Sequence, residues 1–140
     1  MNHAHPTKNF LIMFTIILFI APFCCCTNGN KSHIKAITSA GQLNKITARA
    51  KNRLLMIDLF DESCMSCYML FPLLEEIARE QKSNVTIYGI SVNQNPEIAK
   101  TFNVTRRPHV VFVKNRKEVH AISGVHPKDT FVNVIEMYAR

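Results

Sequence analysis

Leu54 to Phe60 is an apolar run of strand length, broken only by Asp58. A Cys-x-x-Cys pair, Cys64 and Cys67, follows after a short polar stretch. Beyond it apolar residues recur at helical spacing: Met69, Leu70, Leu73, Leu74, Ile77 and Ala78. The two thiols therefore stand where a buried strand hands over to a helix N-terminus. The first-turn amides there have no intrahelical partner, and the helix dipole adds partial positive charge. A thiolate at such a place is stabilised, and its pKa falls from about 8.5 into a range of roughly 3.5 to 7.5.

The spacing puts Cys67 one helical turn beyond Cys64, close enough to bridge. Cys64 at the helix mouth is the expected nucleophile, and Cys67, one turn in, is expected to resolve a mixed disulfide. Half of a zinc site has the same spacing, but no second Cys-x-x-Cys and no His-x-x-x-His follows. No metal and no cofactor are expected. A purely structural bridge across one turn closes too small a loop to constrain the unfolded chain much.

The 140 residues suit one domain plus a targeting segment. The formal net charge is +7, yet the basic residues are scattered without a Lys/Arg-rich run or a nucleic-acid module. The positive surface is read as solvated, able to steer acidic partners but not to bind nucleic acid.

Residues 1–26 read as a signal peptide or an N-terminal membrane anchor. Lys8 and two histidines precede an apolar stretch, Phe10 to Ala21, which fits a signal core and is short for a membrane span. Pro22 interrupts a continuous helix, and Cys24, Cys25 and Cys26 follow. Cleavage after Cys26, retention as an anchor, and lipidation of one of the three cysteines all stay open. Each places the domain outside the cytosol: periplasm, exterior or lumen. Any membrane contact runs through residues 1–26 only.

Residues 27–32 form a linker, and 33–140 the domain. His33 to Ile37 suits a first strand. Ser39 and Gln42 have capping-box spacing ahead of the helical pattern Leu43, Ile46, Thr47 and Ala50. A second helix from about Cys64 to Gln81 carries Pro72, which is expected to bend it. Val85 to Val92 forms a strand. Asn95, Pro96 and Glu97 supply a cap, a first-position proline and a first-turn acid for a short helix to about Phe102. Pro108 precedes the strand His109 to Lys114, and Asn115-Arg116 turns the chain into an antiparallel partner, Glu118 to Ile122. After Gly124, Pro127 starts a last helix with Phe131, Val134, Ile135 and Tyr138 on its apolar face. The order βαβαβαββα implies an α/β fold with a central mixed sheet flanked by helices.

From about residue 36 onward the chain resembles the thioredoxin family. The resemblance is carried by Asp58, six residues before Cys64; by Cys64 and Cys67; and by Pro72 in the following helix. It continues through Val92-Asn93-Gln94-Asn95-Pro96, through Pro108 with Val110-Val111-Phe112-Val113-Lys114-Asn115, and through Gly124. It implies a thioredoxin-like fold and a thiol–disulfide oxidoreductase acting on client proteins with disulfides or thiols. It also implies that Pro108 is a cis-proline beside which a client peptide binds, with Arg107 next to the thiols; Met65 and Tyr68 are expected as further client contacts.

The departures are informative. Ser63 replaces the family's tryptophan, and Met65-Ser66 replaces Gly-Pro. Arg107 and His109 flank the proline, and Gly89 stands where a lysine usually partners the aspartate. Phe60 replaces a family aromatic below the active site and is expected to shield Asp58. A buried Asp58 has its pKa raised and is expected to exchange a proton with Cys67; as a strand-end residue it would instead reach water. Arg107 either stabilises the Cys64 thiolate or is solvated.

The reading is an exported reductant, a monomer, supplied with electrons by a membrane or luminal donor. Two other readings remain. One is a metal-binding or adaptor module using Cys64, Cys67 and His109, although His109 is expected to face the sheet's other side. The other is a disulfide oxidase or isomerase.

Overall fold

The computed structural model describes residues 31–140. The readings of residues 1–26 and of most of the linker lie outside the described residues.

The strand Leu54–Phe60 (β2, after a short β1 at Lys35–Ala36) lies at the centre of a five-stranded sheet. It pairs in parallel with β3 (Val85–Ser91) and antiparallel with β4 (His109–Lys114). β1 flanks β3 in parallel, and β5 (Lys117–Ser123) closes the other edge antiparallel to β4, so the order is β1-β3-β2-β4-β5. A strand covered on both faces has no reason to alternate polar and apolar residues, which accounts for the apolar run of β2, interrupted only at Asp58.

Among the described residues four helices cover the sheet: α1 (Ala40–Arg49), α2 (Met65–Glu80), α3 (Pro96–Thr101) and α4 (Lys128–Tyr138). Successive residues of a strand point to opposite faces. Leu54 and Met56 pack with Leu70, Leu74 and Ile77 of α2 and with Phe131, Val134 and Ile135 of α4. Leu55, Ile57 and Leu59 pack with Leu43 of α1 and Ile98 of α3. Asp58 shares the parity of Leu54 and Met56 and so faces the α2 side.

Local signals set most of the boundaries. Ser39 caps α1 by accepting the Gln42 N–H at 3.2 Å. The Gln42 side chain accepts the Thr38 N–H at 2.9 Å, one residue ahead of the cap. Asn115 and Arg116 both have positive φ, 53° and 66°, the two-residue turn that matches strand twist in a hairpin. α2 runs through Pro72 as one helix.

The structure corrects three expectations. The first strand shrinks to Lys35–Ala36, because the His33 N–H donates instead to the Glu75 carboxylate of α2, at 2.9 Å. Asn95 holds the N-cap position of α3, but its side-chain amide donates to the Ser91 carbonyl at 3.0 Å and caps nothing. Pro127 precedes α4 as its N-cap residue, and helical geometry begins at Lys128.

Candidate functional site

β2 ends on one side of Asp61-Glu62-Ser63 and α2 begins on the other, so the cysteines sit at the mouth of α2. Cys64 is its N-cap residue, with extended backbone angles. Its Sγ accepts the Cys67 N–H at 3.2 Å, and the Ser66 hydroxyl lies 3.1 Å away. Cys64 and Cys67 are joined as a disulfide, with Cα atoms 5.3 Å apart. Cys64 is half-buried and Cys67 is buried. A client sulfur thus reaches Cys64 from solvent, whereas Cys67 is reached through Cys64.

Asp58 lies beneath this pair, 3% exposed, and its Oδ1 has no hydrogen-bond partner. Its register partner on β3 is Gly89, so no cation stands opposite it. A β-carbon at residue 89 would come within 3.3 Å of Phe60 Cε1; the Phe60 ring occupies the space a side chain from β3 would need. Burial without a counter-charge pushes the Asp58 pKa from 3.8 up to about 7. Asp58, Cys67, Phe60, Tyr68 and Phe71 line one cavity of about 220 Å³ together with Asp61 and Glu62. The carboxyl and the buried sulfur-bearing side chain share this space, as proton exchange between them requires.

The Arg107–Pro108 peptide bond is cis, Pro108 is buried, and its carbonyl accepts the Gly124 N–H at 2.8 Å. Arg107 turns its guanidinium onto the Asp61 carboxylate. Met65 and Tyr68 are exposed on the first turn of α2, 74% and 62%, next to Met69 and Phe71. His109 pairs in register with Leu59 and so faces the α1/α3 side, where its Nδ1 meets Ser123 Oγ at 2.7 Å. Cys67 and Asp58 lie on the α2 side. Among the described residues no three His, Cys, Asp or Glu side chains converge to hold a metal. The Cys64/Cys67/His109 ligand set is therefore not brought together.

Asp61 is the site residue that sequence reasoning missed. Its Oδ1 accepts the Ser63 N–H at 2.8 Å, the Ser63 hydroxyl at 2.7 Å and the Asn93 amide at 2.9 Å, while Oδ2 meets Arg107. The Ser63 hydroxyl and amide, then Asn93 and Arg107, hold its pKa down at about 2. The local half of this arrangement is legible: an Asp two residues before a Ser closes an Asx turn. The half supplied by Asn93 and Arg107 comes from distant loops and leaves no local signal.

A redox-ready cysteine pair at a helix N-terminus, over a buried carboxyl, is a thiol–disulfide exchange centre. The thioredoxin family model matches residues 34–137. A thioredoxin of Chlamydia pneumoniae is 35% identical over 86 residues, 61% of this chain and 83% of that protein. The chloroplastic M-type thioredoxin of Spinacia oleracea is 31% identical over 83 residues, 59% of this chain but only 46% of the spinach protein. The X-ray structure of Fasciola hepatica thioredoxin superposes with a TM-score of 0.71 at 30% identity, covering 75% of this chain and 99% of that one. The chain belongs to the thioredoxin family, and Cys64–Cys67 makes it a thioredoxin-type thiol–disulfide oxidoreductase.

Proposed function

We propose that this protein is an exported reductant of disulfides in client proteins. The observation that carries the reading is the buried, unpartnered carboxyl of Asp58 sharing a cavity with Cys67. A reductant must deprotonate its buried second thiol, and a carboxyl titrating near 7 is matched to that task.

The cycle starts from the dithiol. The Cys64 thiolate, held by the Cys67 N–H and the Ser66 hydroxyl, attacks one sulfur of a client disulfide. A Cys64–client bond forms, and the client's other sulfur leaves as a thiolate. Asp58 takes the proton of Cys67. The Cys67 thiolate attacks Cys64 Sγ, forming the Cys64–Cys67 bond and expelling the second client thiolate. Two electrons have passed to the client, and its thiolates take up protons. A membrane or luminal donor of two electrons returns the pair to the dithiol.

Arg107, Pro108, Met65 and Tyr68 are the residues on which a client segment would lie. Exposed Met65 and Met69 suit varied apolar clients, because the thioether chain adapts its shape. Export rests on the pattern of residues 1–26: a charged start, a short apolar core and small residues.

The test is turnover of insulin disulfides with dithiothreitol as donor, together with the equilibrium potential of the pair. A value near about −270 mV supports the reductant, and one between roughly −180 and −120 mV overturns it in favour of an isomerase or oxidase. Cys64→Ser is expected to abolish turnover, and Cys67→Ser to accumulate mixed disulfides with clients. Fractionation of cells expressing the full chain tests export: recovery only in the cytosol overturns that part.

A further inference from the structure

The loop between β2 and α2 is fastened to two others. Asn93, in the β3–α3 connection, donates to Asp61 at 2.9 Å and to Glu62 at 3.3 Å; Gln94 donates to Glu62 at 3.1 Å. Arg107, immediately before Pro108, reaches back to Asp61 Oδ2. Asp61 is bound to the cysteine turn itself, since its backbone carbonyl accepts the Cys64 N–H at 3.0 Å. Its carboxylate is thus tied through one residue both to the turn that holds the nucleophile and to the loop that precedes the proline.

We propose that Asp61 and Arg107 form a positioning pair for the exchange reaction, clamping the pre-proline loop to the cysteine loop and balancing the charge that acts on Cys64. The proposal deepens the reading of the site as an exchange centre and rests on it. Asp61 is charged at every pH at which a thiolate forms, because Ser63, Asn93 and Arg107 all stabilise its ionised state. Alone, that charge would oppose ionisation of Cys64. Alone, the Arg107 guanidinium would favour it. Paired, the two nearly cancel, which leaves the Cys67 N–H and the Ser66 hydroxyl to set the acidity of Cys64. The other ionisable groups near the two loops are Glu62 on the cysteine loop, Arg106 next to Arg107 in sequence, and Asp58 beneath the pair, which is charged only above about pH 7. The Asp61 carboxylate is largely buried and the Arg107 side chain is 42% exposed, so salt screens the cation more than the anion.

The test uses the full-length protein and compares wild type with Asp61→Asn, Arg107→Gln and the double variant. The readouts are the thiolate absorbance of the reduced protein against pH and the equilibrium of the cysteine pair with glutathione. Asp61→Asn leaves Arg107 unpaired: Cys64 is expected to become more acidic and the disulfide easier to reduce, by about threefold to tenfold. Arg107→Gln leaves Asp61 unpaired, and both shifts are expected to reverse sign. The double variant is expected to fall between the two, near wild type. Arg107→Lys retains the charge and is expected to stay within about twofold of wild type.

Shifts of the same sign in both single variants, or a double variant worse than either, would overturn the proposal and reduce the pair to a loop clamp. Thermal melts exclude any variant that fails to fold, and Asp61→Glu with Arg107→Lys then serves as the charge-retaining comparison, expected near wild type. Turnover of insulin disulfides by the wild type separates the two levels. Its absence sinks the exchange reading itself, whereas normal turnover without opposite shifts sinks only the ion pair.

Discussion

Ser66 is the residue between the two cysteines that touches sulfur. Its hydroxyl lies 3.1 Å from Cys64 Sγ, where it donates to the thiolate once the pair is reduced. Ser66→Ala is expected to raise the Cys64 pKa by about one to two units, the worth of one hydrogen bond to a charged group. Thiolate absorbance against pH measures this directly. Asp58 acts at the second sulfur. In its carboxylate form it accepts the Cys67 proton, so wild-type turnover is expected to rise with an inflection near pH 7. Asp58→Asn is expected to lose that inflection and to slow turnover about tenfold or more. Cys64, Cys67 and Asp58 were legible because each is announced by its neighbours: a motif, a helical period, a polar residue in an apolar run. Asp61 was not, because what makes it a site residue arrives from Asn93 and Arg107, and nothing local marks a partner that far along the chain.

At the scale of elements, β2 needs its two ends placed, and different devices do this. At its end, the cysteine loop is tied as described above. At its start, Arg53 donates to Thr86 Oγ1 at 2.6 Å and to the carbonyls of Ser83 and Val85 at 3.2 Å, and also reaches that of Lys82. One guanidinium thereby closes the turn between α2 and β3 against the head of β2. Arg53→Ala is expected to cost about 1 to 2 kcal/mol, and Arg53→Lys to recover little, because one ammonium cannot span four acceptors. Chemical denaturation checks both. The central strand, the hairpin at Asn115-Arg116 and the second and fourth helices could be read from periodicity and turn chemistry. The first strand could be placed from its sequence, but its length could not. The His33 amide donates to the Glu75 carboxylate, on a helix about forty residues away, and the Ile34 amide is shared between Glu75 and the nearby Ser32 hydroxyl, which takes both out of the sheet.

For the whole molecule, Asp58 couples function to stability. Its folded pKa of about 7 stands above the unfolded value of 3.8, so the folded state binds the extra proton. The contribution is fully present below pH 3.8 and is lost as pH rises through 7, up to about 4 kcal/mol in all. Wild-type stability is therefore expected to fall between pH 4 and 8, and Asp58→Asn to be flatter across that window and more stable than wild type at pH 8. Urea titrations at pH 5 and pH 8 test it; a wild-type protein equally stable at both, with Asp58→Asn no better at pH 8, contradicts the burial argument. The paired faces of the sheet were predictable at this scale, since strand parity sorts the apolar residues into two layers. His109 follows the same parity, which is why it sits across the sheet from the sulfurs.

The two sulfurs belong to a single helical turn, while the groups that surround them come from β2, from the β3–α3 connection and from the segment before Pro108. The reactive pair can therefore stay constant over evolutionary time while its voltage drifts through substitutions scattered along the chain. Two chains with the same pair of residues between their cysteines can therefore work at different voltages if their surrounding loops differ.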